Sequence, residues 1–489
     1  MISGFTERRT SMSRIVERFE QVCCDNSDVT AVVYRSGDRV CRRTFSELHS
    51  DVHSMRAYLV SCGVNQGDRI LAFASSSYKL CVFMLAALEI GASIMYVDIW
   101  AKQESLHSVF EDYKPDMLLV SDKTKHIRVF FREINKVKRI INIDKAEDFS
   151  AVDTAVSDIS EDVTALLTMT TGSTGKPKIA LRTHRDLMHQ FELINSNIDA
   201  DGHQTVLTTS YIYIFANILN GYTTVMPQLN LGRWSAKKIN RLLRLFCDEP
   251  VSMIITSPDF CMKADNIFPE LKTLYFGGAI LNLYEARYIR SKYPDCACRL
   301  IYGSTECSII AVADIDDFIS VLETEQRSIL GRPVNGVRVR LSDDGEILVT
   351  SAAMLESYLI SDPSTKETDI EGTLWHHTND IAAEENGVLY FHGKSRRYIE
   401  LSGKRIYSNC IEQQIIAAFP DIPKCAVLQH NGGIYAVLQR GVIPVDCAAV
   451  KSFLQEQGIT AEVQIIKKIP CDVKHHTKIN YDKLKEQLK

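Results

Sequence analysis

Residues 67–100 read as a strand, a helix and a strand in quick succession, and that order restricts the fold more than any other feature of the chain. GDRILAFAS (67–75) is short, apolar and β-prone, YKLCVFMLAALEIGA (78–92) is long enough for a buried helix, and SIMYVDIW (93–100) is again strand-like. Strands alternating with helices suggest parallel pairing, because parallel neighbours need a long crossover connection. The alternation continues along the chain without solenoid repeats, so the reading is an α/β protein with largely parallel sheets. Residues 80–97 are also the best membrane candidate, but Glu89 and Gly91 interrupt them, which favours core over bilayer.

At 489 residues the chain exceeds one core, and its 45% apolar content suffices for several. The texture changes near residue 390, where short strands and a basic turn lead into a final run of alternating strand and helix. A boundary between Gly393 and Arg397 gives a large domain, 1–393, and a small α+β domain, 394–489. A net charge of −5 with no basic patch argues against a nucleic-acid partner. Fourteen cysteines without a C-x-x-C pair suit a reducing compartment, and the charged start MISGFTERRTSMSRIVERFE lacks the apolar run of a signal peptide, so a cytoplasmic location is expected.

TMTTGSTGKPK (168–178) lies between two strand-like runs, the place where α/β proteins bind ligands. Its glycines, hydroxyls and backbone N–H groups suit a phosphate cradle. It is not a Walker loop, since only two residues separate Gly172 from Gly175 and Pro177 stands where the metal-binding hydroxyl belongs. Taken alone it is as much a solvated turn as a phosphate site. His-His pairs at 376–377 and 475–476 give little support for a metal, because neighbours in extended chain point to opposite faces and a helix would need ligands spaced i, i+4.

Several separated stretches, taken in order, are similar to the motifs of the adenylate-forming superfamily, which includes acyl-CoA synthetases, peptide-synthetase adenylation domains and luciferases. TTGSTGKPK (170–178) resembles its phosphate loop, with Ser173 for Thr and Ile179 for a following Gly. FGGAIL (276–281) resembles the adenine-side turn, IYGSTE (301–306) the Y-G-x-T-E motif, and WHHTND (375–380) the W-x-x-T-G-D motif with Asn379 for Gly. GKSRRYIELSGKRI (393–406) resembles the hinge, and IPCDVKHHTKIN (469–480) the terminal lysine motif.

The resemblance implies a large body, a mobile C-terminal lid and a reaction in which a carboxylate attacks the α-phosphorus of ATP, leaving an acyl-adenylate and pyrophosphate. Carried onto matching positions, it implies that Thr170, Thr171, Gly172, Ser173, Thr174, Gly175 and Lys178 hold the terminal phosphates, with Lys178 as a point charge. It gives Gly277, Gly278, Ala279, Tyr302, Gly303 and Ser304 to the nucleotide, Thr305 to the α-phosphate and Glu306 to Mg²⁺. Asp380 would accept from the ribose hydroxyls beside Lys394, which replaces the usual Arg. Asn379 tolerates the positive φ of the missing glycine. Lys478 would bridge acyl carboxylate and α-phosphate once the lid closes.

The acid pocket would draw on TTSYIYIFANILNGYTTVMP (208–227), with Tyr211, Tyr213, Phe215, Asn217 and Ile218, and on Gly303. That stretch holds no charged residue, so an apolar, aromatic or hydroxylated acid is expected and an α-amino acid is disfavoured, although core packing explains the same aromatics. Two second steps stay open: transfer to a thiol of CoA or a phosphopantetheine carrier protein, or capture by a hydroxyl of a 3-hydroxy acid. The latter arises because PCDVKHHTKI and SPDF (257–260) resemble the branch holding fatty-acid CoA-ligase-like proteins and β-lactone synthetases. Departures at Asn379, Lys394, Arg396 and Glu400 keep a non-catalytic nucleotide-binding module as the alternative of another class, and a P-loop kinase is a third.

Overall fold

The computed structural model describes residues 12–97, 110–125, 137, 139–145, 158–170, 178–198, 202–229, 234–355, 357–359, 365–471 and 478–488. Two compact units divide the chain: Met1–Gln228 with Ala352–Asp362, and Leu229–Ser351 with Pro363–Lys489.

In the first unit the expected strand–helix–strand is Arg69–Phe73, Tyr78–Ile90 and Ser93–Tyr96, with the two strands parallel. Ser77 caps the helix by accepting from the Leu80 N–H, and Gly91, at φ 75°, ends it in the left-handed region that glycine enters without penalty. These strands belong to a seven-stranded sheet in which Met117–Val120, Arg139–Asn142 and Thr164–Thr170 also run parallel, whereas Lys178–Thr183 runs antiparallel to both its neighbours, Thr164–Thr170 and Ser357–Tyr358. Leu71, Met95, Leu118 and Leu167 pack together on one face of it. The pair Thr170↔Lys178 closes the hairpin, and residues 171–177 of the sequence-identified loop lie outside the described residues. Elsewhere in this unit Thr205–Thr208, Thr223–Met226 and Thr30–Ser36 run parallel, with Arg39–Thr44 antiparallel beside the last.

The second unit combines both kinds of pairing. Met253–Thr256, Thr273–Gly277 and Ala297–Ser304 are parallel, while Ser308–Asp314, Ser328–Pro333, Val388–Lys394, Leu374–Glu385, Glu346–Ser351 and Val337–Leu341 continue antiparallel in that order. A hairpin, Tyr398–Leu401 with Lys404–Tyr407, leads into the helix Ser408–Ala418 and a three-stranded sheet, Cys425–His430, Gly433–Gln439 and Glu462–Ile466. Residues on both sides of the 393/394 boundary lie in this unit. All fourteen cysteines are free, and no helix among the described residues is long and apolar enough to cross a membrane.

Glu89, the charge that interrupts the apolar run, is 2% exposed and accepts from Arg56 Nη1 at 2.9 Å, itself 3% exposed on the helix Phe45–Ser61. Removing one partner leaves the other buried without its counter-charge. Glu89→Ala is expected to cost about 3–5 kcal/mol in urea unfolding; an unchanged unfolding midpoint would show that the pair contributes nothing.

Candidate active site

Two glycine-containing motifs meet because their strands are parallel neighbours. Gly277 stands opposite Ile301, so FGGA and YGSTE end side by side at the carboxyl ends of Thr273–Gly277 and Ala297–Ser304, the usual ligand-binding edge of such sheets. A Cβ on Gly277 would lie 2.7 Å from the Ile301 carbonyl oxygen, and Gly278 has φ 93°. The hairpin leaving Tyr302 is tighter still: a Cβ on Gly303 would come within 2.1 Å of the Ser308 carbonyl oxygen, where the register slips by a bulge. The Cys307 N–H donates to Ser304 Oγ at 3.1 Å, which closes the turn carrying Thr305 and Glu306.

Asp380 comes to the same place on the strand Leu374–Glu385. It is 6% exposed; Tyr302 Oη donates to its Oδ2 at 2.8 Å, and Lys394 Nζ, paired with it across the strands, sits 2.6 Å from Oδ1. A carboxylate oxygen has two lone pairs, so Oδ1 can accept from a further donor with the lysine beside it. Burial and the Asp380 charge push the Tyr302 phenol well above its ordinary value, so it remains a donor. Asn379 has φ 57°, the left-handed conformation expected of a residue standing in for glycine. Glu346 braces that turn by accepting from the Asn379 N–H at 2.7 Å and pairing with His377 Nδ1 at 3.0 Å. His376 is buried and His377 faces Glu346 and Glu367, so adjacent histidines do point apart. His475 and His476 lie outside the described residues.

Lys478 lines one cavity with Gly278, Tyr302, Gly303, Asp380 and Lys394. Residues 472–477 lie outside the described residues, but both ends of that segment are tied. Cys471 and Ile479 form an antiparallel bridge, and the Asn480 N–H donates to the Pro470 carbonyl at 2.8 Å. Ile479 packs against buried Ile469 and Leu484, while Asn480 caps the helix Tyr481–Lys485. Tyr481 Oη then donates to Glu412 Oε1 at 2.6 Å, an oxygen that also accepts from the Val427 N–H at 2.8 Å, and Arg397 lies 4.7 Å from the Tyr481 ring centre. Gln413 Nε2 to the Leu281 carbonyl, Asn282 Nδ2 to the Pro423 carbonyl and the Lys424–Glu285 ion pair hold this part of the chain against residues 281–285. Sequence reasoning missed Glu412 and Tyr481, and gave no role to Glu346, whose stretch DGEILVTS also resembles a G-E-I motif of the superfamily. The signal for Tyr481 is its place three residues after the lysine.

The remaining candidates belong to the first unit. Lys178 Nζ lies 5.5 Å from the Tyr358 ring centre at the base of the hairpin. Tyr211, Tyr213, Phe215 and Asn217 share the helix Tyr211–Leu219; Tyr211 Oη accepts from the Ser77 N–H at 3.1 Å, and Phe215 is buried. Asn217 is 3% exposed, and its Nδ2 has no hydrogen-bond acceptor among the described residues.

The sheet edge, the braced Asp380 and the lysine cavity have the layout of an adenylate-forming enzyme, and comparison with known proteins places the chain in that class. The profile of the AMP-binding enzyme family matches residues 19–359, so the chain belongs to that family. A D-alanine--D-alanyl carrier protein ligase of Streptococcus equi subsp. equi is 24% identical over 470 residues, spanning 89% of this chain and 88% of the relative. The fold matches o-succinylbenzoate CoA synthetase from Bacillus subtilis in complex with its acyl-adenylate intermediate, with TM-score 0.79, 19% identity and coverage of 96% and 97%. It also matches the amide bond synthetase McbA from Marinactinospora thermotolerans, with TM-score 0.80, 17% identity and coverage of 97% and 100%.

Burial pushes the Glu412 carboxyl up to about 7 from an ordinary 4.5, against the opposing hydrogen bonds from Tyr481 and Val427. A carboxyl raised in the folded state stabilises fully below its unfolded value, and that contribution is lost as pH rises through about 7. Stability should therefore fall by roughly 3 kcal/mol from this group as pH rises across that window. Glu412→Gln keeps the Oε1 acceptor and should flatten the decline in urea unfolding; an unchanged pH profile would contradict the assignment.

Proposed function

We propose that the protein adenylates a carboxylic acid without an α-ammonium group, using ATP and Mg²⁺, and then passes the acyl group to a thiol of CoA or of a phosphopantetheine carrier protein. The observation that carries this reading is Lys478 in one cavity with Tyr302 and Asp380. A cation there faces both an incoming carboxylate and the α-phosphate, whose negative charge rises as they react.

The residues fit the nucleotide. Asp380 Oδ1, with Lys394 Nζ 2.6 Å away, has a second lone pair to accept from a ribose hydroxyl, and the absent Cβ atoms of Gly277 and Gly303 let the backbone approach closely. By the resemblance, Thr305 would hydrogen-bond the α-phosphate, and Thr170 to Gly175 with Lys178 would be the residues for the β- and γ-phosphates. Glu306 would hold Mg²⁺, which when bound supplies positive charge to the phosphates. The carboxylate attacks the α-phosphorus, the bond to the bridging oxygen breaks, and pyrophosphate leaves with that electron pair. Residues 394–489 act as the lid that brings Lys478 in, turning near Lys394 to Arg397, and the Gln413, Asn282 and Lys424 contacts hold it in place.

For the acid, the helix Tyr211–Leu219 offers aromatic surface and one unused buried donor, Asn217 Nδ2, which suits a substrate hydroxyl or carbonyl. D-alanine, named in the streptococcal relative, carries an ammonium that needs a buried carboxylate, and residues 208–227 hold none. An acid without an ammonium group is therefore favoured.

Carboxylate-dependent exchange of labelled pyrophosphate into ATP tests the reading with aromatic, aliphatic, 3-hydroxy and α-amino acids. Lys478→Ala should lower exchange at least about 100-fold while ATP still binds, and Glu306→Gln should weaken Mg²⁺-dependent exchange. Release of ADP, or exchange untouched by Lys478→Ala, contradicts it. AMP formation from a 3-hydroxy acid with no thiol required would redirect the second step to intramolecular ring closure.

A further inference from the structure

The spacing absent from the adjacent histidine pairs occurs elsewhere. His49 and His53 are i and i+4 on the helix Phe45–Ser61 and so share a face. Opposite them the helix Arg14–Asp25 presents Glu20. His49 Nε2 lies 2.7 Å from Glu20 Oε2 and His53 Nε2 lies 3.1 Å from Oε1, so each carboxylate oxygen faces one ring. The ring centres are 3.9 Å apart, and one ligand atom from each of the three residues lies within 4.8 Å of the others.

We propose that Glu20, His49 and His53 form a binding site for a divalent transition-metal ion of the zinc type. Two imidazole nitrogens and a carboxylate oxygen are a three-ligand set that leaves a fourth, tetrahedral position for water. Bonds of about 2.0–2.2 Å put tetrahedral ligand atoms roughly 3.4 Å apart, so admitting the ion asks for side-chain shifts on the order of 1 Å. Nitrogen ligands favour Zn²⁺, Co²⁺ or Ni²⁺ over Mg²⁺ or Ca²⁺. The three side chains are 29–30% exposed, which gives an ion a path from solvent while the site keeps its shape.

The scaffold fixes the ligand directions. Phe45, Leu48 and Val52 are fully buried on one face of the second helix, and Thr44 with Glu47 makes a capping box at its start. Phe19 and Val22 are buried on the first helix, and the Phe19 ring stacks 6.2 Å from that of His49. In the metal-free state each imidazole donates its Nε2 proton to Glu20. On binding, each neutral imidazole gives its Nε2 proton to water and takes one from water at Nδ1, with no net release, so that Nε2 becomes the ligand. The ion then staples the two helices. None of the three residues belongs to the nucleotide motifs, so the site has its own role, and its failure would leave the proposed reaction standing.

The full chain, stripped with chelator and then dialysed, is titrated with Co²⁺ by visible absorption and with Zn²⁺ by calorimetry. One ion per chain is expected, with affinity at least about tenfold weaker in His49→Ala, His53→Ala and Glu20→Gln. Zn²⁺ should raise the melting temperature of the native sequence and leave that of the variants unmoved. Should an alanine variant not fold, His49→Gln and His53→Gln replace it. Absence of binding in the native sequence, or binding and melting shifts unchanged in all the variants, overturns the proposal and assigns any uptake to other groups such as the free cysteines.

Discussion

Asp380 is a carboxylate almost withdrawn from water, and such a group persists as an anion only where donors and positive charge reach it. Tyr302 comes from one strand, Lys394 from another, and the turn before the aspartate is fixed by Glu346 from a third. Meeting that requirement aligns the edge of the sheet in the second unit. It also explains why the neighbouring backbone is so restricted: Asn379 must adopt positive φ to aim Asp380, and Gly303 must lack a Cβ for the hairpin beside Tyr302 to close. Lys394 serves as a point charge, and the second lone pair of Oδ1 stays available to a ligand.

The terminal lysine is held by a different device. Its neighbours are anchored through apolar packing of Ile479, the Asn480 cap and the buried Tyr481–Glu412 hydrogen bond, while the lysine itself lines the cavity. Anchoring beside the functional atom limits its motion without burying its charge. If residues 394–489 move as proposed, this packing travels with Lys478 while the polar contacts to residues 281–285 are exchanged for others.

Much of this was legible in the sequence because local physics decides it. The strand–helix–strand at 69–96 follows from an apolar helix ended by Gly91, and the texture of the C-terminal region reappears as short strands around helices. The motifs at 276–281, 301–306 and 375–380 converge as their resemblance implied, since parallel register and cross-strand pairing bring them to one edge. Glu412 and Tyr481 were not legible, nor was the bracing role of Glu346: these hydrogen bonds join residues 69 and 33 apart, and such contacts leave no periodic trace. The same holds for Glu20, whose histidines have helical spacing but whose carboxylate comes from another helix. Residues 208–227 showed their lack of charge, but not that Phe215 and Asn217 would be buried on one helix.

The central claim is that one cavity joins ribose recognition by Asp380 to activation by Lys478. A crystal structure with a non-hydrolysable acyl-adenosine sulfamate tests it most directly. The account predicts a ribose hydroxyl within hydrogen-bonding distance of Asp380 Oδ1 and the Lys478 ammonium beside the acyl–sulfamate junction. A mimic seated with its ribose away from Asp380, or one bound in this cavity without reach of Lys478 in any lid position, would contradict it.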